Sequence, residues 1–156
     1  MTDIGFETTI WRHWTALWNG EIDQADPESF IADETRVHLP KFGMPPEHTL
    51  ATRSSVVNWI NGFRSFYAPD ARFAAELGPW LIDEYVIARW KFTGTWISGA
   101  PAGALAASGT AVAISGVDIL RIDNSKRIAE YWLTDDQLDL YSQLAAPVPV
   151  GQRNEV

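Results

Sequence analysis

The chain has 156 residues, of which 20 are acidic and 12 are basic, for a formal net charge of −8. A chain of this length typically forms one domain that buries a hydrophobic core without cross-links. The acidic balance argues against binding to nucleic acid or to an anionic membrane surface, because both require a basic face. The sequence contains no Cys, which excludes disulfides, thiolate metal ligands and thiol nucleophiles.

The first half of the chain predicts three helices. Apolar residues at helical spacing indicate an amphipathic helix over residues 4–19, which ends at Asn19-Gly20. Asp26-Pro27 is typical of a cap followed by proline at the first helical position, so a short second helix is predicted over 27–33. A third helix is predicted over 53–67, where apolar residues again share one face.

The second half of the chain predicts mainly strands. A brief extended segment is predicted over 36–39, and a last helix over 136–144. Four longer strands are predicted, over residues 71–82, 85–97, 110–122 and 127–134. Helices followed by a meander of long strands predict an α+β fold, a cone-shaped, strongly curved antiparallel sheet with three N-terminal helices packed on its concave face.

We expect a single domain over residues 1–145 and a flexible C-terminal tail over 146–156, because the tail is rich in Pro and Gly. No apolar run approaches the roughly 18 residues that a membrane-spanning helix needs. The N-terminal residues lack the basic region and apolar core of a signal peptide. A soluble, cytoplasmic protein is therefore expected.

The end of the last predicted strand is where chemistry is expected. Asp136 follows this strand close to Trp132, and an apolar pocket would raise its pKa above the usual value of about 3.9, as a general base requires. The alternative role for Asp135 or Asp136 is to cap the last helix. If the strand persists, the two carboxylates point to opposite faces, and we expect Asp136 to face the pocket and Asp135 to cap the helix.

Large aromatic side chains are expected to form the pocket walls. The eight Trp, seven Phe and four Tyr can build a core, line a cavity for a flat organic ligand, or do both. The candidates for pocket walls are Trp14, Trp59, Trp90 and Trp132. No group of residues has metal-ligand spacing and no glycine loop suits a phosphate, so neither a metal nor another cofactor is expected.

Several local patterns occur along the chain in an order that carries a family resemblance. They are Ala32–His38, Pro69-Asp70, Val86–Trp90, Thr93–Thr95, Gly116–Arg121, Ile128–Trp132 and Asp136-x-Leu138-x-Leu140. Together they resemble the SnoaL-like polyketide cyclase family, within the nuclear transport factor 2-like superfamily, from about residue 6 to about residue 145. The resemblance implies the cone-shaped fold and a homodimer formed through the outer face of the sheet.

The resemblance also implies roles for individual residues. Cyclases of this family use a strand-end Asp to remove a carbon-bound proton beside a carbonyl, and Asp136 matches that position. His38 lies where relatives project a polar residue into the cavity, and Arg89 resembles a pocket arginine of epoxide hydrolase relatives. Either one is expected to stabilise an oxyanion. The alternatives are a surface or loop-anchoring His38, and an Arg89 that pairs with Glu130 or Asp118 on a solvated face.

The function expected from the sequence is a cofactor-independent cyclase, isomerase or lyase that acts on a hydrophobic carbonyl compound. One alternative is a non-catalytic pocket that binds a small apolar or aromatic ligand. Another is a dimerisation module whose interior is filled by Trp side chains. An open cavity of several hundred Å³, roughly the usual size of a ligand pocket, would favour the first two functions, and a filled interior would favour the third.

Overall fold

The computed structural model describes residues 4–21, 23 and 25–149. The elements are α1 (Phe6–Asn19), α2 (Pro27–Phe30), β1 (Ile31–His38), a 3-10 turn (Glu47–Leu50), α3 (Arg53–Arg64), β2 (Arg72–Ile82), β3 (Tyr85–Trp96), β4 (Thr110–Ile122), β5 (Ile128–Asp135) and α4 (Gln137–Gln143). The strands form a sheet in the order β1-β5-β4-β3-β2. The predicted α+β fold is confirmed.

The second predicted helix and the first extended segment are the elements that differ most from the prediction. The helix predicted over 27–33 ends at Phe30, and β1 begins at Ile31, well before the predicted start at residue 36. Ile31 is buried and pairs with Ile128 of β5, so tertiary pairing overrides the local helix signal. Because β1 runs parallel to β5, the sheet is mixed and not purely antiparallel as predicted.

Alternation along the strands defines which face of the sheet is buried. In β4 the buried residues follow one another at every second position from Val112 to Ile122, and β3 shows the same alternation from Val86 to Trp96. The buried side chains of α1 and α3, such as Trp14 and Ile60, belong to the same core. The helices therefore cover the inner face of the sheet, where the hydrophobic core lies.

The end of α1 is fixed both by its own backbone and by the sheet. Gly20 adopts φ 69°, a left-handed conformation that suits glycine, and its N–H donates to helix carbonyls. The Asn19 side-chain amide donates to the Phe73 carbonyl at 3.1 Å, and its oxygen accepts from the Phe73 N–H at 2.7 Å. The predicted end of this helix is confirmed, and the pair of bonds ties α1 to β2.

The C-terminal part of the domain joins α4 to the segment between β3 and β4. The backbone N–H groups of Leu105 and Ala106 donate to the carbonyl of Leu144, which is fully buried. The predicted tail is described as far as residue 149, and the rest of it lies outside the described residues. No described helix is both long enough and apolar enough to cross a membrane.

A large residue on β3, Trp90, and a residue without a side chain on β4, Gly116, together shape the inner face of the sheet. Trp90 lies directly opposite Gly116, and Gly116 also lies opposite Asp135 of β5. A Cβ atom at Gly116 would clash with the Trp90 indole and would lie 2.7 Å from the Thr134 carbonyl oxygen. The missing side chain therefore makes room for the indole to lie across β4.

We expect Gly116→Ala to lower the free energy of unfolding by about 1–3 kcal/mol, because the added methyl group overpacks the Trp90 site. Urea unfolding followed by tryptophan fluorescence measures this change. Gly62→Ala is the matched control, because a Cβ there meets nothing within 4 Å and Ala favours a helix over Gly. A Gly116→Ala protein as stable as the wild type would contradict the packing described here.

Candidate active site

A cavity of about 320 Å³ lies between the helices and the inner face of the sheet. The segments Gly43–Pro45 and Ala100–Pro101 contribute to its wall. Other lining residues are mostly aromatic, and they include Trp18, Trp59, Phe63, Tyr67, Trp90 and Tyr131. The interior is therefore not filled by its tryptophans, and its size falls in the range of about 300–1,000 Å³ that is usual for small-molecule sites.

Asp118 is a buried carboxylate held by three aromatic donors. Its side chain accepts hydrogen bonds from Trp14 Nε1 at 2.8 Å, from Trp90 Nε1 at 2.9 Å and from the Tyr131 hydroxyl at 2.9 Å. Burial raises the pKa of Asp118 to about 6, and the three hydrogen bonds oppose that rise because they favour the ionised form. Both oxygens are thus occupied by protein donors, which suits a structural role.

Asp135 is the second carboxylate of the cavity, and its hydrogen bonding is incomplete. It ends β5, and its Oδ2 accepts a hydrogen bond from Gln137 Nε2 at 2.6 Å. Its Oδ1 is buried and has no hydrogen-bond partner among the described residues. Burial raises the pKa of Asp135 to about 6, and the neighbouring charge of Asp136 adds to the rise. A carboxylate in this state can accept a proton from a ligand.

Two further polar groups of the cavity lack partners. Trp18 Nε1 and the Tyr67 hydroxyl are both buried without a hydrogen bond to any described residue. Burial raises the pKa of Tyr67 above the usual range, so its hydroxyl stays neutral and can donate. Three residues of the otherwise mostly apolar wall, Trp18, Tyr67 and Asp135, therefore each carry a buried polar atom without a partner among the described residues.

The prediction that Asp136 faces the pocket and Asp135 caps the helix is wrong in orientation. Asp136 is exposed, is not among the cavity-lining residues, and is the N-cap of α4, where its Oδ1 accepts from the Asp139 N–H at 3.1 Å. The strand persists to Asp135, in phase with the buried Tyr131 and Leu133, so Asp135 takes the inner face.

His38 and Trp132 lie on the outer face of the sheet and are not among the cavity-lining residues. Their rings stack with centroids 4.8 Å apart, and His38 Nε2 is 2.8 Å from Glu130 Oε1. Glu130 Oε2 accepts a hydrogen bond from Arg121 Nε at 2.8 Å. The structure thus places His38 as the surface residue of the alternative prediction, and Trp132 away from the cavity.

Arg89 also points away from the cavity. Its Nε donates to Glu76 Oε2 at 3.1 Å on the exposed surface. The predicted pairing of Arg89 with Glu130 or Asp118 is wrong, because Glu130 bonds His38 and Asp118 is buried on the opposite face. Neither sequence-derived candidate for oxyanion stabilisation therefore reaches the cavity in this structure.

The remaining predicted wall residues divide into two groups. Trp59 and Trp90 line the cavity. Trp14 does not line the cavity, because its side chain is buried in the core. There its indole donates a hydrogen bond to Asp118 and packs against Tyr131, with ring centroids 4.9 Å apart. Trp14 therefore supports the wall from behind.

Asp118 and Asp135 were not predicted to point inward, although the strand alternation contains a signal for each. Asp118 falls in phase with Ile114 and Leu120 in a strand whose apolar positions are otherwise regular. Asp135 falls in phase with Leu133 in β5. An acidic residue in the buried phase of a strand indicates an inward carboxylate. The free polar atoms of Trp18 and Tyr67 have no comparable sequence signal.

Comparisons with known proteins identify the kind of fold and the family. The SnoaL-like polyketide cyclase family matches residues 8–144. TsrD from Streptomyces laurentii is similar in structure, with a TM-score of 0.74 and 20% identity over 94% of this chain and 100% of that chain. A candidate polyketide cyclase from Acidithiobacillus ferrooxidans has a TM-score of 0.72 and 22% identity, over 93% of this chain and 98% of the other.

IdmH, a candidate polyketide cyclase from Streptomyces antibioticus, has a TM-score of 0.67 and 20% identity over 92% of this chain and 100% of its own. At these identities the likeness shows the fold. A search of curated proteins found no match to the sequence. The predicted resemblance is confirmed by the family match.

We expect Tyr131→Phe to lower the free energy of unfolding by about 1.5–3 kcal/mol, the range for a hydrogen bond to a charged group. The change removes one of the three donors to the Asp118 carboxylate and leaves the ring in place. Chemical unfolding at pH 7 measures the loss. Tyr85→Phe on the partly exposed outer face is the control, with an expected change within about 0.5 kcal/mol.

We expect the free energy of unfolding to fall as the pH rises from about 4 to about 6, through the effect of Asp118 and Asp135. Both carboxyls have a folded pKa of about 6, above the ordinary value of 3.8 for an aspartate, so the folded state binds more protons than the unfolded state in this window. A shift of this size corresponds to about 2–3 kcal/mol for each group.

Urea unfolding at a series of pH values measures this dependence. Asp135→Asn removes one of the two groups, so the decline with pH should become shallower. Asp136→Asn, at the exposed N-cap of α4, removes only a smaller contribution to the pKa of Asp135, so it should change the decline much less than Asp135→Asn does. Equal pH dependence in the wild type and in Asp135→Asn would contradict the raised pKa of Asp135.

Proposed function

Because the chain belongs to the SnoaL-like polyketide cyclase family, we propose that it is a cofactor-independent cyclase or isomerase of a hydrophobic carbonyl compound. Asp135 is the general base of this proposal. The observation that carries it is the buried Oδ1 of Asp135, which has no hydrogen-bond partner among the described residues and belongs to a wall residue of an apolar cavity.

In the proposed reaction, Asp135 removes a proton from a carbon next to a carbonyl group. The C–H bond breaks, its electron pair forms the enolate C=C bond, and the carbonyl π electrons move onto the oxygen. In a cyclase, the enolate carbon then attacks a second carbonyl of the same molecule and closes a ring, and protonated Asp135 returns its proton to the alkoxide that forms. In an isomerase, the proton returns from Asp135 to a different carbon. Neither course consumes an external reactant.

Asp135 suits this role better than the other two acidic residues considered. Asp118 already accepts three hydrogen bonds, so it has little capacity left for a substrate proton. Asp136 is exposed and caps α4. A pKa of about 6 leaves Asp135 mostly ionised at neutral pH and makes it a stronger base than an ordinary aspartate.

The charge of the cavity favours an uncharged ligand. Among the described residues that line it there is no Lys, Arg or His, whereas two carboxyls are present, those of Asp118 and Asp135. A ligand carboxylate would lose its hydration without gaining a cationic partner, and it would be repelled by the ionised aspartates. We therefore propose a neutral ketone or ester as the substrate.

The alternative is a non-catalytic pocket that binds a small apolar ligand. The same cavity and the same apolar walls are compatible with it, and a ligand hydroxyl could satisfy Asp135 Oδ1. The raised pKa of Asp135 favours proton transfer, because a purely binding acceptor gains nothing from increased basicity.

We further propose that the protein forms a homodimer, as the family resemblance implies. Large apolar side chains are exposed at one end of β2, where Leu77, Trp80 and Ile82 have half or more of their surface accessible. Exposed apolar groups that lie close together typically mark an interaction surface. This support comes from the sheet and is independent of the cavity.

We expect the protein to accelerate deuterium uptake by 2-tetralone in D2O at the carbons next to the carbonyl, followed by NMR. Asp135→Asn should reduce the catalysed rate by about 10²–10⁴-fold, the usual contribution of a general base. The wild-type rate should rise as the pH passes about 6 and then level off, because the ionised carboxylate is the active form.

Asp136→Asn is the matched control, since the same chemical change occurs one residue away and outside the cavity. It should retain wild-type exchange. Thermal unfolding of both variants checks that they remain folded. Exchange that survives in Asp135→Asn and is lost in Asp136→Asn would overturn the assignment of the base.

A further inference from the structure

We propose that Trp18 Nε1 and the Tyr67 hydroxyl form a donor pair that holds the carbonyl oxygen of the ligand. The cavity would then select a flat ketone over a hydrocarbon of the same shape. This inference deepens the proposed function and rests on it, because it names the groups that face the reacting carbonyl. Trp18 is on α1, and Tyr67 follows α3, where its backbone forms a bridge with Trp96 at the end of β3.

The first observation that supports this donor pair is the location of the buried polar atoms that lack hydrogen-bond partners. Four buried side-chain polar atoms lack a hydrogen-bond partner among the described residues. Three of the four belong to residues that line this one cavity, namely Trp18, Tyr67 and Asp135. Buried polar atoms are nearly always paired, so a cluster of unpaired ones indicates partners that a ligand supplies.

The second support is that one aromatic cluster holds both donors. Phe63 packs against both, with its ring centroid 5.7 Å from that of Trp18 and 5.1 Å from that of Tyr67. Phe73 of β2 also packs against Trp18, at 5.0 Å between ring centroids. The two side chains are therefore held by packing, which favours donors that are positioned before the ligand arrives.

The third support is the match between these groups and a carbonyl compound. The indole N–H can only donate, and the neutral tyrosine hydroxyl can also donate. A carbonyl oxygen has two lone pairs and can accept both hydrogen bonds.

This arrangement also suits the proposed proton transfer. Asp135 contributes its carboxylate from the end of β5, whereas the donors come from α1 and from the segment that follows α3. When the base removes a proton, negative charge develops on the carbonyl oxygen that the two donors hold. Their hydrogen bonds then become stronger, which lowers the barrier. A hydrocarbon leaves all three groups unsatisfied.

The test compares 2-tetralone with tetralin, which has the same two-ring frame without the carbonyl oxygen. We expect wild-type protein to bind the ketone more tightly, with Kd values measured by equilibrium dialysis. Trp18→Phe and Tyr67→Phe each remove one donor and keep an aromatic ring. Each should weaken ketone binding by about 3- to 10-fold, the range for one hydrogen bond, and leave tetralin binding nearly unchanged.

A spectroscopic measurement separates hydrogen bonding from packing. The 13C resonance of carbonyl-labelled 2-tetralone should move downfield on binding to the wild type and less far on binding to either variant. Trp132→Phe is the matched control, because the same substitution falls on the outer face of the sheet. It should leave both affinities and the carbonyl shift unchanged.

Equal affinity of the wild type for ketone and hydrocarbon, with no carbonyl shift, would overturn the inference without any variant having to fold. A loss of affinity for both ligands in Trp18→Phe and Tyr67→Phe would overturn it too, since it would indicate packing alone. Failure of the proposed function looks different. In that case the ketone preference persists, but the wild type does not catalyse deuterium exchange or Asp135→Asn keeps it.

Discussion

The buried carboxylate of Asp118 is the interaction on which the rest of the site depends. It lies on β4 and accepts hydrogen bonds from α1, β3 and β5, through Trp14, Trp90 and Tyr131. No Lys or Arg forms an ion pair with it among the described residues, so these three neutral donors must offset the loss of hydration. A single side chain thus fixes one helix and three strands relative to one another, and with them the inner wall of the cavity.

The two inward carboxylates differ in the number of hydrogen bonds that they accept from the surrounding protein. Asp118 and Asp135 are diagonal neighbours on β4 and β5, because Asp118 pairs with Leu133 and Asp135 is two residues further along. One is saturated with donors, and the other has a free oxygen. Gly116 connects the two, since it lies opposite both Asp135 and Trp90 and lets the indole reach Asp118. The carboxylate with a structural role and the proposed base therefore lie on neighbouring strands, two residues out of register.

Much of this fold could be predicted from the sequence, whereas the face of the sheet to which each acidic side chain points could not. The long strands and α1 have strong periodicity and clear turn residues, so their predicted ends lie close to those observed. The error at Asp136 came from taking the aromatic Trp132 as an inward residue. Trp132 stacks on His38 at the outer face, and a shift of one residue moves a strand side chain to the other face.

The contrast between satisfied and unsatisfied groups favours a ligand that takes part in proton transfer over one that only fills space. If the cavity served apolar packing alone, the polar atoms of Trp18, Tyr67 and Asp135 would be better replaced by apolar atoms, because each is costly to bury unpaired. If it served binding alone, an acceptor with an ordinary pKa would suffice. A carboxylate whose pKa is about 6 remains largely ionised at neutral pH, yet it holds a proton more firmly than a solvated aspartate. That balance is what a base needs if it must first take a proton and then return it within the same apolar cavity.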